Sequence, residues 1–202
     1  MTTSKEHNYE HWISTFSGHP IDPLNPEPKR IFRTDIAHAL SNQCRFSGHP
    51  ISFYSVAQHS VLVSKLLQSW DVPLRIRIRG LYHDASEAYL MDMPTPIKRQ
   101  MPEYTRAETP LQRMIEDTLF PEYAGDDDLR HDDDLLIKKA DLILLATEAR
   151  DLMSDPKDWK VLRSVTPLPS RITPVLPVEA RRLFNLRHEE LCANLQHREA
   201  RR

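Results

Sequence analysis

The sequence predicts an all-α domain with an extended N-terminal arm. Two observations carry this. Apolar residues recur at three- and four-residue spacing through the long stretches of the chain, the period of a helix with one buried face. The 16 prolines gather largely between those stretches, where they break helices. A chain of 202 residues, 40% hydrophobic and 28% charged, is long enough to bury one core, so a single domain over 1–202 is expected.

The elements follow in order. Residues 16–34 carry Gly18, Pro20, Pro23, Pro26 and Pro28 and read as an irregular arm. A short helix is expected over Thr34–Asn42, capped by Thr34 or Asp35, before a turn at Gly48 and Pro50 closes this first part, residues 1–54. The central part, residues 55–153, opens with a helix from Ser55 to Trp70, marked by Val56, Val63, Leu66 and Leu67. From Pro73 to Leu90 the start is ambiguous: Leu74-Arg-Ile-Arg-Ile-Arg alternates like a strand. Ile78, Leu81, Tyr82, Ala85 and Tyr89 keep the helical period, and the length favours one helix throughout.

Met93-Pro-Thr-Pro stops that helix, and another is expected from Pro110, suited to a first turn, to Phe120. The acidic stretch Asp126–Asp134 lacks the central glycine and final glutamate of a calcium loop. It reads as a solvated loop whose last aspartates cap a helix from Asp134 to Met153. Residues 154–202 hold a proline-rich link, Thr166 to Pro177, and a charged helix from Val178 to Arg201.

Composition narrows the function. A formal charge of −2 provides no electrostatic case for a nucleic-acid polymer or a membrane surface as partner. The longest uncharged apolar run, Leu142 to Ala146, is far below the roughly 20 residues of a spanning helix. The first dozen residues are polar and charged, so no secretory signal is expected and the chain is expected to be cytoplasmic. Cys44 and Cys192 are too few for a disulfide framework. Four glycines cannot assemble a phosphate-binding loop or a dinucleotide fingerprint. His7-Asn-Tyr-Glu-His11 matches a zinc-peptidase pattern, but in a polar stretch ahead of a proline-rich arm rather than on a stable helix.

The 10 histidines are the informative residues. His59 shares a helix face with Val56, Val63 and Leu66 and so points inward. His83 and Asp84 sit in mid-helix, with Glu87 four residues after His83 on nearly the same face. Asp141 falls on the stripe Ile137–Leu144–Leu145, and an inward carboxylate needs a cation or strong donors. His59, His83, Asp84 and Asp141 together form a mixed nitrogen and oxygen set suited to one divalent ion, with cobalt, manganese, zinc and iron all compatible.

His59…His83-Asp84…Asp141 resembles the signature of the HD-domain metal-dependent phosphohydrolases. Leu81-Tyr-His-Asp-Ala-Ser-Glu87 followed by Asp92-Met-Pro-Thr-Pro-Ile-Lys98 is similar to the HDASE and DLPTPVK segments of bacterial 5′-deoxynucleotidases of the YfbR type. The resemblance covers roughly residues 44–153. It implies an HD-domain helical fold, metal ligation by His59, His83, Asp84 and Asp141, and catalysis by Glu87 as acid/base together with Asp84. It further implies that Arg45 orients the phosphate and that Phe46, standing where these enzymes carry tryptophan, borders the nucleoside. Asp92, Met93, Pro94 and Thr95 would line the sugar and phosphate.

The function expected from this is phosphate release from a deoxynucleoside monophosphate, a small-molecule substrate, and a homo-oligomer is expected. Two rivals stay open: a deoxynucleoside triphosphate triphosphohydrolase of the dATP-cleaving kind, and a non-catalytic regulatory module that keeps its metal for structure. His131 is the only histidine between Asp84 and Asp141, which argues against a two-metal site.

Overall fold

The computed structural model describes residues 12–125, 127–155 and 159–199. Apart from two isolated bridges, Ile13 with Ile21 and Cys44 with Ser55, the regular structure among them is helical. In chain order the helices are α1 (Arg33–Asn42), α2 (Val56–Ser69), α3 (Leu74–Tyr82), α4 (Glu87–Leu90), α5 (Thr95–Lys98), α6 (Pro102–Leu119), α7 (Asp127–Leu152) and α8 (Pro177–Glu199). The architecture is all-α, consistent with a fold of HD type. The His7–His11 motif lies outside the described residues.

Helix α2 is the axis of the molecule, packed against α1, α3, α7 and α8. Ser55 caps it by accepting a hydrogen bond from the Gln58 amide at 3.1 Å. With neighbours on most sides, α2 buries Val56, Ala57, His59, Ser60, Val61, Val63, Ser64 and Leu67. The buried serines are satisfied locally: Ser60 donates to the Val56 carbonyl at 3.0 Å and Ser64 to the Arg77 carbonyl at 2.8 Å. Gly80 lets α3 approach this helix closely, since a Cβ there would stand 2.2 Å from Leu67 Cδ1. Gly80→Ala is therefore expected to destabilise by about 1 kcal/mol, overpacking of about 1–3 kcal/mol being offset by about 1 kcal/mol of helix propensity. Urea denaturation of the two proteins measures this, and a gain in stability would mean that Leu67 repacks freely.

The arm is tied down rather than loose. Ile13 and Ile21 pair through backbone hydrogen bonds of 2.9 and 3.1 Å. Asp35, at the start of α1, accepts from the Ser17 amide at 2.7 Å and its hydroxyl at 2.8 Å.

Three expectations are corrected. The helix expected through Leu90 breaks at His83–Ser86. There the backbone bonds tighten to three-residue spacing, as in Ala85 to Tyr82 and Glu87 to Asp84. The freed groups find Gln112 of α6, which donates to the Tyr82 carbonyl at 2.7 Å and accepts from the Ser86 amide at 3.0 Å. Next, Pro110 lies inside α6 instead of starting it. Pro102 occupies the first turn, where its fixed φ suits a helix, while Pro110 is exposed.

Finally, most of the acidic stretch belongs to α7 and is not a loop. Asp133 is buried and accepts from Arg75 at 2.9 and 3.0 Å. Arg79 reaches Glu116 at 2.9 Å and Asp134 at 2.7 Å. The strand-like arginines of α3 thus lie one turn apart and clamp α6 and α7. Asp126 falls outside the described residues.

Candidate metal centre

The site forms where four parts of the chain meet. Helix α2 brings His59, the tight turn after α3 brings His83 and Asp84, α4 begins with Glu87, and α7 brings Asp141. His59 Nε2 stands 3.3 Å from His83 Nε2, 3.3 Å from Asp141 Oδ1 and 3.8 Å from Asp84 Oδ2. His83 Nε2 is 3.2 Å from Asp84 Oδ2. Of these, His59, His83 and Asp84 converge tightly enough to hold a metal ion, and Asp141 joins them through His59.

The second nitrogen of each ring decides what the pocket offers. His59 Nδ1 lies 2.6 Å from Glu148 Oε1, and His83 Nδ1 lies 3.0 Å from the Gly80 carbonyl. Both partners are acceptors, so each Nδ1 carries a proton and each ring turns its Nε2 inward. Two imidazole nitrogens and the Asp84 carboxylate then face one another, with Asp141 beside His59, an arrangement that suits a cation. Three of the four separations fit one: ligand atoms about 2.1 Å from a common ion stand about 3.0–3.4 Å apart, as His59–His83, His59–Asp141 and His83–Asp84 do.

Electrostatics say the same. Burial and the Arg45 charge push His59 down, yet Glu148 and Asp141 outweigh them and hold it at about 9, so without a metal a proton takes the cation's place. Burial pushes Asp84 and Asp141 up, but the flanking histidines overcome it. Arg45 adds to this for Asp84 and Lys138 for Asp141, and both stay well below the usual carboxylate range. Lys138 donates to Asp141 Oδ2 at 2.6 Å.

Glu87 behaves oppositely. It is 5% exposed, and among the described residues its Oε2 has no hydrogen-bond partner. Burial, then the Asp84 and Asp92 charges, push its carboxyl well above the ordinary value. Burial also raises Asp92. Gln43 fixes both backbones, donating to the Glu87 carbonyl at 2.8 Å and accepting from the Asp92 amide at 3.0 Å.

Arg45 is buried at the rim. Its amide bonds the Tyr54 carbonyl at 2.9 Å, which pins it beside the start of α2. Its Nε lies 3.3 Å from Glu148 Oε2 and its Nη1 3.5 Å from Asp84 Oδ2. Phe46 and Ser47 then adopt φ of 55° and 53°, a left-handed conformation that is costly for such residues. The turn leaves Phe46 packed against Trp159, ring centroids 5.8 Å apart. Met93 and Pro94 are half-buried and Thr95 is exposed at the start of α5; the described hydrogen bonds place none of the three in the pocket. A cleft of about 540 Å³ opens beside His83 and Asp84.

Glu148, Gln43, Gln112 and Trp159 were not legible as site residues. Glu148 had a signal: it lies two helical turns beyond Asp141, on the same stripe as Ile137 and Leu144. The glutamines and Trp159 carry none, because their roles depend on which elements meet.

Fold and site define an all-helical protein with a buried histidine–carboxylate pocket able to hold a metal ion. No known family model matches the chain. It is 39% identical over 185 residues to the uncharacterized protein YfdR of Escherichia coli K12, covering 89% of this chain and 95% of that protein. The chain belongs to the YfdR family. It is also similar to proteins named 5′-deoxynucleotidase. One from Photobacterium profundum is 34% identical over 123 residues, 55% of this chain and 63% of its own length. One from Vibrio cholerae is 31% identical over 128 residues, 57% of this chain and 65% of its own length. The chain thus spans somewhat under two thirds of either nucleotidase. Among the described residues no helix is long and apolar enough to cross a membrane.

Proposed function

We propose that this protein is a metal-dependent phosphohydrolase of HD type that releases phosphate from a deoxynucleoside 5′-monophosphate. The observation that carries the reading is the convergence of His59, His83 and Asp84, with Asp141 3.3 Å from His59, flanked by buried Arg45 and by Glu87. The similarity to 5′-deoxynucleotidases supports the choice of substrate.

His59, His83, Asp84 and Asp141 would hold one divalent ion. Such an ion supplies Lewis acidity, polarising a phosphoryl oxygen and making water more acidic. Arg45 meets the phosphate through the edge of its guanidinium that Glu148 leaves free, and its planar fork suits two oxygens at once. Burial and the Asp84 and Asp92 charges favour the protonated form of Glu87. As water adds to phosphorus and the bond to the 5′ oxygen breaks, Glu87 gives that oxygen its proton and then recovers one from the added water. Asp84 serves as ligand and, through its negative charge, keeps the Glu87 proton in place. Phe46 borders the nucleoside, and Asp92, Met93, Pro94 and Thr95 line the sugar and phosphate.

A monophosphate is favoured over a triphosphate by the charges of the cleft. Lys98 is paired with Glu108 at 2.5 Å, Arg79 with Glu116 and Asp134 at 2.9 and 2.7 Å, and Arg130 with Glu116 at 2.7 Å. A polyphosphate tail would have to break these pairs. A purely structural metal site would need neither the Glu87 carboxyl nor Arg45.

Phosphorus NMR of dAMP and dATP incubated with cobalt-loaded protein tests the reading. Orthophosphate from dAMP with dATP intact is the expected result. Triphosphate released from dATP would replace it with the triphosphohydrolase reading, and no turnover of either would remove the nucleotide assignment.

A further inference from the structure

We infer that Glu148 is a positioning residue that couples the metal pocket to the phosphate-binding arginine, one oxygen of its carboxylate serving each. The inference rests on the functional reading above and concerns a residue that is neither a metal ligand nor a substrate contact in it.

Glu148 is fully buried in α7. A carboxylate there is costly unless both oxygens are served. Oε1 accepts from His59 Nδ1 at 2.6 Å and from the Tyr54 hydroxyl at 2.9 Å. Oε2 faces Arg45 Nε at 3.3 Å. The first contact fixes the His59 ring with its Nε2 lone pair toward Asp84 and Asp141, and raises the basicity of that nitrogen. The second holds the guanidinium by its Nε edge and leaves its terminal nitrogens for an anion.

The two contacts are linked by geometry. Arg45 Nη1 already stands 3.5 Å from Asp84 Oδ2. While Glu148 is charged, Arg45 has a partner other than this ligand. With that charge removed, the arginine closes on Asp84 and withdraws it from the metal. Glu148 therefore supports cation binding twice, by orienting His59 and by restraining Arg45, and it sets the arginine for phosphate.

Calorimetric titration of the full chain with Co²⁺, read together with the cobalt absorption bands, tests this. Glu148→Gln is expected to weaken Co²⁺ binding about 10–100-fold, the usual effect of losing a carboxylate behind a ligating histidine, and to alter the absorption bands. Orthophosphate binding to the cobalt-saturated variant is expected to weaken as well. Adding Arg45→Gln to Glu148→Gln should restore part of the cobalt affinity, which a merely structural glutamate would not produce.

Folded Glu148→Gln binding cobalt as tightly as the unsubstituted protein overturns the inference. Weakened cobalt with unchanged orthophosphate affinity, or no recovery in the double variant, overturns the coupling. Should Glu148→Gln fail to fold, Glu148→Asp keeps the charge but withdraws it by one methylene. Unchanged cobalt affinity and spectrum in that variant would be equally decisive against. An unsubstituted chain that takes up no cobalt removes the metal reading and this inference together, whereas cobalt bound equally by both proteins removes only this inference.

Discussion

Glu87→Gln is expected to lower kcat by about 10²–10⁴-fold, the usual contribution of a positioned acid or base, while cobalt uptake stays unchanged. Glutamine matches the shape of the protonated acid but has no proton to give. The side chain stands one turn from His83 and is buried, so the loss should fall on kcat more than on KM.

A stability signature accompanies this loss. The folded-state pKa of Glu87 lies well above its ordinary 4.5, so the native state binds a proton that the unfolded chain releases. Stability is therefore lost as pH rises from about 4.5 through the raised value. Glutamine removes that penalty, and metal-free Glu87→Gln should melt progressively higher than the unsubstituted protein as pH rises. Full activity in the variant would remove Glu87 from the reaction. A difference in melting temperature independent of pH would contradict its raised pKa.

Asp84→Ala is expected to abolish both cobalt binding and turnover, because Asp84 Oδ2 lies within reach of both histidines, 3.2 Å from His83 Nε2 and 3.8 Å from His59 Nε2. The unsubstituted pocket should also show competition between metal and proton. His59 is held at about 9 against an ordinary 6.5. In metal-free protein the stability from its proton is fully present below 6.5 and is lost as pH rises through about 9.

Cobalt must displace that proton, so its affinity should rise about tenfold per pH unit up to pH 9 and then level off. The gain in melting temperature on adding cobalt should grow over the same range. A cobalt affinity flat from pH 6 to 9 would mean that His59 does not ligate, and residual tight binding in Asp84→Ala would place the metal elsewhere.

Much of this architecture is legible from residue order. A helical period that included His59 and Asp141 among aliphatic residues marked them as inward. The His83-Asp84 pair with Glu87 four residues after His83 was visible as a group. The break at His83–Ser86 was not, because the local pattern is helical. It exists because Gln112, on another helix, takes over the hydrogen bonds that the turn releases. The acidic run that reads as solvent-facing is helical for a similar reason: Arg75 and Arg79 wait on α3 to neutralise it.

Sequence alone determined what is local and periodic: the helical class, the inward faces, and the residue types able to bind a cation. Only the tertiary structure decided what depends on meeting. It set which nitrogen of His59 faces the pocket, because Glu148 occupies the other, and where Arg45 points, because a short backbone pairing with Tyr54 holds it at the start of α2. Hydrogen-bond direction and charge balance belong to pairs of residues far apart in the chain, and no single stretch contains both partners.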